Sequence, residues 1–253
     1  YRRRGRFSGD GNEVQGGRKM TEPVVSVIMP AYNCRNAIGQ AISSVLVQDV
    51  PLELIIIDDA SSDDLETFVE QYTDERIRYV RNSSNLGVAQ SRNRGVSLAK
   101  GRYIAFLDAD DWWAPDKLKK QLRYMEEQEA VLCGTGRELF SSEGKPLDKI
   151  IHVQSRITYR RLLGGNSISC SSVLVLKSVM EEFPMGNDDL HEDYITWLHI
   201  LKKYKFAAGL DEPLLKYRMS SSSKSGNKLK SARMTFGVYR HMGYSWMACC
   251  YYF

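Results

Sequence analysis

The sequence lacks any hydrophobic run long enough to cross a membrane, and it lacks paired cysteines. A spanning helix needs about 20 predominantly apolar residues, and no such stretch occurs among the 253 residues. The five cysteines are scattered, with no CxxC spacing. This pattern predicts neither a cysteine zinc site nor a disulfide framework, and it favours a reducing, cytoplasmic compartment.

An excess of one charge is also absent from the body of the chain. The net charge is +4, but residues 1–20 hold six of the 35 Lys and Arg residues and two of the 31 Asp and Glu residues. This Gly- and Arg-rich segment has no apolar core, which excludes a secretory signal. We interpret it as a disordered leader, an upstream extension before Met20. It has no aromatic or repeated pattern, so we expect no nucleic-acid partner.

From residue 24 onward the sequence alternates apolar runs with amphipathic segments. The apolar runs predict strands at 24–30, 52–58, 76–82 and 102–108. The segments between and after them predict helices at 36–48, 64–72 and 87–100 and further elements at 130–139, 157–168, 171–180, 191–204 and 212–220. Strands that alternate with helices are typical of an α/β fold, with a Rossmann-like, mainly parallel central sheet flanked by helices.

Polar clusters follow three of the predicted strands. They are PAYN at 30–33, DDASSDD at 58–64 and DADD at 108–111. In an open α/β sheet the ligand crevice lies beyond the carboxyl ends of the strands. We therefore expect the two acidic clusters to converge at one edge of the sheet.

The DADD cluster suits a divalent cation. If the chain is still extended there, Asp108 and Asp110 point to the same side. Two carboxylates, completed by water and diphosphate oxygens, are a common way to hold Mg²⁺ or Mn²⁺. The alternative is a solvated cluster in which Asp111 or Asp116 caps the next helix. The preceding strand and the second acidic cluster favour the cation site.

Asp58 and Asp59 end the second predicted strand, where part of their role is to form a turn. A turn does not need two adjacent carboxylates against a hydrophobic strand end. One of them could accept hydrogen bonds from a base or a ribose hydroxyl, as acidic residues do in other nucleotide crevices.

Four segments carry a family resemblance. VSVIMPAYNC, LIIIDDASSDD, NLGVAQSRNRGVSLAKGRYIAFLDADD and HEDYITWLHI resemble, in this order, the motifs of inverting glycosyltransferases of family 2, which have the GT-A fold. The resemblance extends from about Val24 to Lys228. It implies a metal-dependent enzyme that moves a sugar from a nucleoside diphosphate-sugar, most simply a UDP-sugar, to a saccharide hydroxyl. It also implies a role in bacterial O-antigen or capsule polysaccharide biosynthesis, with a lipid-linked acceptor at the inner face of the plasma membrane.

The resemblance also assigns residues to the donor and the metal. The implied donor contacts are Pro30, Ala31, Tyr32, Asn33, Asp58, Asp59, Arg92, Asn93, Asp108, Ala109 and Arg218. Asp110 is implied to contact the metal directly, with Asp108 nearer to the ribose and the metal-bound waters. A solvated helix face is the alternative for Arg92 and Asn93.

The HED segment resembles the late acidic motif whose aspartate is the general base. An inverting transfer needs a carboxylate that takes the proton from the acceptor hydroxyl as it attacks the anomeric carbon. The resemblance places this role on Asp193, with Glu192 in reserve. The alternative is that both residues only supply charge at a helix start. Trp112 is expected either to flank the acceptor or to pack.

The chain departs from the family pattern after the last predicted strand. Many relatives have Tyr-Arg-x-His there, whereas this chain has Tyr217 and Arg218 followed by Ser220 in the histidine position. The sequence therefore predicts no histidine ligand at this place. Arg218 or Lys224 is expected to meet the diphosphate instead, and His191 is a further candidate near the metal.

The C-terminal tail is basic and aromatic. From Lys216 to the end there are seven Arg and Lys residues and no Asp or Glu. Such a segment is either a helix at an anionic membrane surface or a helix that packs on the domain or between the subunits of a homodimer. An end within a longer chain is a third interpretation. We expect a donor half at 21–130, an acceptor and base half at 131–225, and a basic aromatic helix at 226–253.

Two alternatives to a glycosyltransferase remain at this stage. A nucleotidyltransferase also combines an α/β sheet with acidic metal ligands, but PAYNCRN after the first strand contains no glycine for a phosphate loop. A nucleotide-sugar-binding module without catalysis is the second alternative. The acidic residues at 108–111 and 192–193 argue against it.

Overall fold

A computed structural model describes residues 22–186, 189–219 and 228–253, and the side chain of Lys228 is not described. The predicted leader, Ser220 and Lys224 lie outside these residues. The elements in chain order are β1 (Val25–Ala31), α1 (Arg35–Leu46), β2 (Leu52–Asp58), α2 (Leu65–Val69), β3 (Ile77–Arg81), α3 (Val88–Leu98), β4 (Tyr103–Phe106), β5 (Trp112–Trp113), α4 (Lys117–Glu127), β6 (Leu132–Phe140), β7 (Pro146–Ile151), β8 (Arg156–Thr158), α5 (Tyr159–Leu163), β9 (Leu174–Leu176), α6 (Lys177–Glu182), α7 (Glu192–Tyr204), β10 (Phe206–Arg218), α8 (Lys228–His241) and α9 (Trp246–Tyr252).

The described strands form one sheet in the order β3-β2-β1-β4-β9-β6-β10-β5, with β7 beside β6 and β8 beside β10. The first four strands are parallel, as the alternation of strands and helices predicts. Beyond them β9 runs antiparallel to both β4 and β6, while β10 runs parallel to β6. The parallel part therefore presents the carboxyl ends of β1, β2 and β4 at one edge.

Both faces of the parallel part are covered by apolar layers. Along β1, Val27 and Met29 pack into the layer that contains α1, whereas Ile28 packs into the layer that contains α3 and α7. Strands that are buried on both faces are apolar at nearly every position, which explains the run Leu-Ile-Ile-Ile in β2. The core thus fixes the strand ends that carry the acidic clusters.

Gly95 allows α3 to lie close to β1. A Cβ atom at this position would collide with the side chain of Ile28. Any larger residue would push the helix away from the sheet. The close approach matters because Arg92 lies on the same helix, one turn before Gly95.

Three short strands were not predicted from the sequence. β5 has two residues and pairs with Leu215 and Lys216 of β10. β8 has three residues, and β7 is largely exposed at the side of β6. None of these segments is long or apolar enough to produce a strand pattern.

The C-terminal segment forms two helices where one was expected. The chain breaks between α8 and α9 at Gly243, which has a left-handed φ of 88°. Val238, Tyr239 and Cys249 are buried against the rest of the protein, and the Tyr239 hydroxyl donates to the Leu163 carbonyl at 2.8 Å. The inner sides of both helices therefore pack on the domain. No described helix is long and apolar enough to span a membrane.

Candidate active site

The acidic loop after β4 lies next to the ends of β1 and β10. A backbone turn closes it, with the Asp111 N–H donating to the Asp108 carbonyl at 3.1 Å. Asp108 and Asp110 are half-buried, while Ala109 and Asp111 are buried. The sequence prediction that this loop lies at the edge where the strands end is confirmed.

Arg92 joins the acidic loop to the start of α7. The residue is 3% exposed, and its guanidinium donates from Nη2 to Asp108 Oδ1 at 2.6 Å and from Nη1 to Glu192 Oε1 at 2.8 Å. Only Glu192 of the two carboxylates is buried, so removal of the Arg92 guanidinium would leave an uncompensated buried charge there. Asp108 and Glu192 are 84 residues apart in the sequence, and Arg92 connects them in one site.

Asn93 fixes the segment that precedes α7. Its side-chain amide donates to the Met185 carbonyl at 2.6 Å, and its carbonyl oxygen accepts from the Met185 N–H at 2.9 Å. Arg92 and Asn93 therefore lie behind the cleft and organise it. Their predicted donor contacts stay predictions, and in this structure Arg92 is an internal ion-pair residue.

The acidic pair after β2 is bonded within the protein. Asp58 has no exposed surface, and it accepts from the Ser61 N–H at 2.9 Å, from the Tyr79 hydroxyl at 2.6 Å and from Arg81. The same environment raises the pKa of Tyr79, through burial and its bond to Asp58.

Asp59 is bonded in the same way by the loop that leads into α3. Its Oδ1 accepts from Asn82 Nδ2 at 2.6 Å and from the Leu86 N–H at 2.9 Å, and its Oδ2 accepts from the Gly87 N–H at 2.8 Å. Each carboxylate oxygen of Asp58 and Asp59 thus has a protein donor. Their predicted contacts with base and ribose stay predictions: Asp58 and Asp59 are only 0% and 4% exposed, and every oxygen already accepts at least one hydrogen bond from the protein.

The loop after β1 has one aromatic side chain at the surface. Tyr32 is 53% exposed, and Asn33 has a left-handed φ of 47°. Asn33 is held by the Ser61 hydroxyl, which accepts from its N–H at 3.0 Å, and by the Ser62 N–H, which donates to its Oδ1 at 2.8 Å. Pro30 and Ala31 remain within β1. Tyr32 is the residue of this loop that is free to stack on a flat ring.

The carboxyl groups of the acidic loop repel each other. Burial and the neighbouring Asp108 raise the pKa of Asp110 to about 6, against the opposing effect of Arg218. Burial, together with Asp110 and Asp108, raises the pKa of Asp111 well above its usual range. A bound cation would relieve this repulsion, since it favours the ionised form of every carboxylate near it.

The carboxylate oxygens of the acidic loop suit a divalent cation whose other ligands come from a substrate. Arg92 occupies Oδ1 of Asp108, and no described side chain donates to Asp108 Oδ2 or to the carboxylate of Asp110, which is approached by its own backbone N–H. No group of three or more His, Cys, Asp or Glu side chains in the described ranges could enclose a metal. Mg²⁺ and similar ions are commonly held by one or two carboxylates together with water and phosphate oxygens. Asp108 and Asp110 match that type of site.

Arg218 closes the other side of the acidic loop. Its backbone N–H donates to Asp111 Oδ1 at 2.9 Å, and its Nε donates to the Asp110 carbonyl at 2.9 Å. Nη2 donates to Gln40 Oε1 at 2.7 Å, and the guanidinium lies 5.0 Å from the centroid of the Trp112 ring. Trp112 also packs against Phe140, with ring centroids 4.6 Å apart. Trp112 therefore packs and supports Arg218, while its predicted contact with the acceptor stays a prediction.

A cavity of about 700 Å³ lies beside Arg218. It is lined by Arg35 and Gln40 of α1, by Gln71 after α2 and by Arg218 itself. Guanidinium and amide groups around one space suit a polar or anionic group.

The two candidates for a general base, Glu192 and Asp193, have different environments at the start of α7. Glu192 is buried and paired with Arg92, whereas Asp193 is half-buried and is not in that ion pair. Burial and the adjacent Glu192 raise the pKa of Asp193 to about 7, although Arg92 opposes the shift. A carboxylate with a pKa near 7 is well matched to proton transfer at neutral pH. This geometry favours Asp193 over Glu192 as the base.

His191 contacts helix α8. Its Nε2 atom is 3.4 Å from the carbonyl oxygen of Ser231 and 3.4 Å from the hydroxyl of the same residue. His191 thus connects the start of α7 to α8, and its approach to a metal stays a prediction.

Arg137 is a cleft residue that sequence reasoning missed. It lies on β6, half-buried, with its guanidinium 5.9 Å from the Tyr217 ring centroid. Burial lowers its pKa, while Tyr217, Asp111 and Asp193 oppose that shift. It is therefore a cation close to both the acidic loop and the candidate base. The available signal was an arginine that follows five uncharged residues of the strand, Leu132 to Gly136.

The sequence matches the family model of Glycosyl transferase family 2 over residues 26–180. TuaG of Bacillus subtilis, named as a teichuronic acid biosynthesis glycosyltransferase, is 42% identical over 224 residues, which are 87% of this chain and 89% of TuaG. WfgD of Escherichia coli is 36% identical over 222 residues, which are 87% of this chain and 86% of WfgD. WfgD is named as a UDP-Glc:α-D-GlcNAc-diphosphoundecaprenol β-1,3-glucosyltransferase.

Solved structures share the fold at low sequence identity. The Staphylococcus aureus protein TarS in complex with UDP-GlcNAc superimposes with a TM-score of 0.71 at 18% identity, covering 86% of this chain and 65% of that chain. The mannosyltransferase PcManGT of Pyrobaculum calidifontis, in complex with GDP-Man and Mn²⁺, gives a TM-score of 0.69 at 17% identity, covering 88% of this chain and 64% of that chain. This chain thus spans slightly less than two thirds of each of these two solved chains.

These comparisons confirm the GT-A fold and the enzyme class predicted from the four motifs. The nucleotidyltransferase and the inactive binding module are not supported by them. The matched region contains β1 to β4, the acidic loop and Arg92. The chain belongs to glycosyl transferase family 2.

Proposed function

We propose that the enzyme transfers a sugar, with inversion, from a nucleoside diphosphate-sugar to a saccharide hydroxyl, and that it uses a divalent cation. A UDP-sugar is the proposed donor, because WfgD is named for UDP-Glc and TarS binds UDP-GlcNAc. The PcManGT complex with Mn²⁺ supports the proposed cation.

One observation carries the proposal. Arg92 pairs with both Asp108 and Glu192, so the acidic loop and the start of α7 face the same cleft. A displacement with inversion needs the leaving diphosphate and the general base on opposite sides of the anomeric carbon. The ion pairs hold the acidic loop and the start of α7 in a fixed arrangement, and the sugar is proposed to lie between the cation and Asp193.

The residues of the chain divide the chemistry as follows. Asp193 accepts the proton of the acceptor hydroxyl as the oxygen attacks the anomeric carbon. Asp110 and Asp108 hold the cation, and Arg218 and Arg137 provide positive charge near the diphosphate. When bound, Mn²⁺ or Mg²⁺ stabilises the negative charge that develops on the departing diphosphate.

The donor site comprises the loop after β1, the acidic loop and the loops held by Asp58 and Asp59. Tyr32 is proposed to stack on the nucleotide base, because it is the exposed aromatic side chain of that region. We propose the donor half at residues 21–130 and the acceptor and base half at 131–225.

The acceptor is proposed to be a lipid-linked saccharide in the synthesis of a bacterial surface polysaccharide. TuaG is named for teichuronic acid biosynthesis, and WfgD is named for a diphosphoundecaprenol-linked acceptor. Such an acceptor would place the reaction at the cytoplasmic face of the plasma membrane. The five free cysteines are consistent with a reducing compartment.

The test is a transfer assay on the full chain with UDP-, GDP- and TDP-sugars and a diphospholipid-linked GlcNAc acceptor. We expect transfer from an α-configured UDP-sugar to give a β-linked product, with activity lost in EDTA and restored by Mn²⁺. Full activity in EDTA would overturn the metal requirement. An α-linked product would overturn inversion and the role of Asp193.

A further inference from the structure

The outer surface of α8 and α9 combines exposed apolar side chains with basic ones. Three of the apolar side chains are among the most exposed of the described chain, at 85% for Leu229, 83% for Met247 and 84% for Tyr251. We call this surface the basic aromatic face, and its members are Leu229, Lys230, Arg233, Arg240, Trp246, Met247, Tyr251 and Phe253.

Helix geometry places these residues together. In α9, Met247 and Tyr251 are four residues apart and share one side, opposite the buried Cys249. Arg240 links the two helices, since its guanidinium lies 5.6 Å from the Trp246 ring centroid and its Nη1 donates to the Tyr244 carbonyl at 2.7 Å. The face is therefore held in shape by contacts within the protein and does not depend on a ligand to form.

The positive charge of the basic aromatic face favours an anionic partner. No Asp or Glu occurs after Glu212 in the sequence. A symmetric contact with a second copy would bring Arg233 and Arg240 against like charges, with no Asp or Glu side chain on the face to pair with them. Aromatic residues with polar tips beside Lys and Arg are the pattern of an interfacial surface on anionic lipid.

We propose that the basic aromatic face binds the surface of a bilayer that contains anionic phospholipid. Met247, Tyr251 and Trp246 enter the headgroup region, while Arg233 and Arg240 contact lipid phosphates. The face is next to the site, because His191 at the start of α7 contacts Ser231 of α8. The binding partner is the membrane that would carry the proposed lipid-linked acceptor, and to that extent the inference rests on the proposed function.

The test is flotation of the purified full chain with vesicles of phosphatidylcholine alone and of phosphatidylcholine mixed with phosphatidylglycerol. We expect the chain to float with the mixed vesicles and to bind neutral vesicles at least about tenfold more weakly, because several basic residues contribute. The variant Arg233→Gln should weaken binding to mixed vesicles about fivefold. The double variant Met247→Gln with Tyr251→Gln should weaken it on the order of tenfold.

A matched control changes exposed apolar residues elsewhere. Leu147 and Ile150 are exposed on β7, and Leu147→Gln with Ile150→Gln should leave vesicle binding unchanged. Circular dichroism verifies the fold of each variant. Should the double variant unfold, Arg233→Gln decides the question, because its exposed side chain is not part of the packing.

Three outcomes would overturn the proposal. One is the absence of flotation with mixed vesicles. Another is equal binding by the double variant and the control. The third is a dimer in sedimentation that Met247→Gln with Tyr251→Gln dissociates, which would show that a second copy covers the face. Flotation is measured without a sugar donor and is therefore independent of the transfer assay. A chain that floats with mixed vesicles but fails in the transfer assay would count against the proposed function only.

Discussion

Two acidic pairs end neighbouring parts of the same sheet, and they differ in what their oxygens bind. Asp58 and Asp59, after β2, receive hydrogen bonds from protein donors on every oxygen. Asp108 and Asp110, after β4, keep oxygens to which no described side chain donates. The first pair is bonded to hold loops together, whereas the second is available to a ligand.

The difference arises from neighbouring strands. β3 lies beside β2 and supplies Tyr79 and Arg81 to Asp58, while Asn82 follows it and bonds Asp59. β4 has β9 as its outer neighbour, and the nearby Ser171 hydroxyl accepts from the Asp108 backbone N–H, away from the carboxylate. Similar sequence patterns therefore acquire different roles from the elements that pack against them.

The largest expected effect on activity is at Asp110, in the acidic pair that follows β4. Asp110→Asn should lower kcat/KM on the order of a thousandfold, because the cation contributes several kcal/mol of charge stabilisation in the transition state. The matched control is Asp116→Asn, an exposed aspartate paired with Lys120 in the same segment. Steady-state assays should show the control near wild type. Retention of more than about a tenth of the activity by Asp110→Asn would contradict the assignment.

The next largest effect on activity is expected at Asp193, the proposed general base. Asp193→Asn should lower kcat about a hundredfold or more, since the variant cannot accept a proton. A general base acts in its ionised form, and the pKa of Asp193 is raised to about 7. Activity of the wild type should therefore rise with pH through about 7 and be lost below it. The measurement is kcat against pH, in which the fall of kcat below about pH 7 is the acid limb. If the residual activity of Asp193→Asn showed the same acid limb as wild type, Asp193 would not be the titrating base.

A smaller effect is expected from the neighbour of the base. Glu192 raises the pKa of Asp193, so Glu192→Gln should move the acid limb to lower pH by about one pH unit. The kcat at high pH should fall less than in Asp193→Asn, because Gln can still accept from Arg92. An acid limb that moves to higher pH would contradict the electrostatic account.

The smallest expected effect on catalysis is at Asp58, in the acidic pair that follows β2. Asp58→Asn removes a buried carboxylate that accepts from Arg81 and Tyr79, so the free energy of unfolding should fall by about 2 kcal/mol. At a temperature where the variant is folded, kcat/KM should fall less than about tenfold. Urea unfolding and steady-state kinetics provide both quantities. An activity loss as large as that of Asp110→Asn, at unchanged stability, would show that Asp58 contacts the substrate.

Much of the donor half could be predicted from the sequence. The apolar runs of β1, β2 and β4 are long and buried on both faces, so their pattern is strong. The position of the acidic clusters at one sheet edge follows from the parallel arrangement alone.

What could not be predicted depends on contacts between distant residues. The ion pairs of Arg92 reach 16 and 100 residues along the chain, and no local pattern encodes them. The bonds to Asp58 Oδ2 come from β3, which is more than 20 residues away, whereas Oδ1 accepts from the nearby Ser61 N–H. For the same reason the cleft position of Arg137 on β6 was not apparent from its sequence context.

The central claim is that the pair after β4 is open to a cation and the pair after β2 is not. Mn²⁺ binding in the presence of UDP, followed by electron paramagnetic resonance, tests it without depending on turnover. We expect Asp110→Asn to weaken Mn²⁺ binding by about tenfold or more, with Asp58→Asn within about twofold of wild type. Equal Mn²⁺ affinity in wild type and Asp110→Asn, or loss of binding in folded Asp58→Asn, would contradict the account.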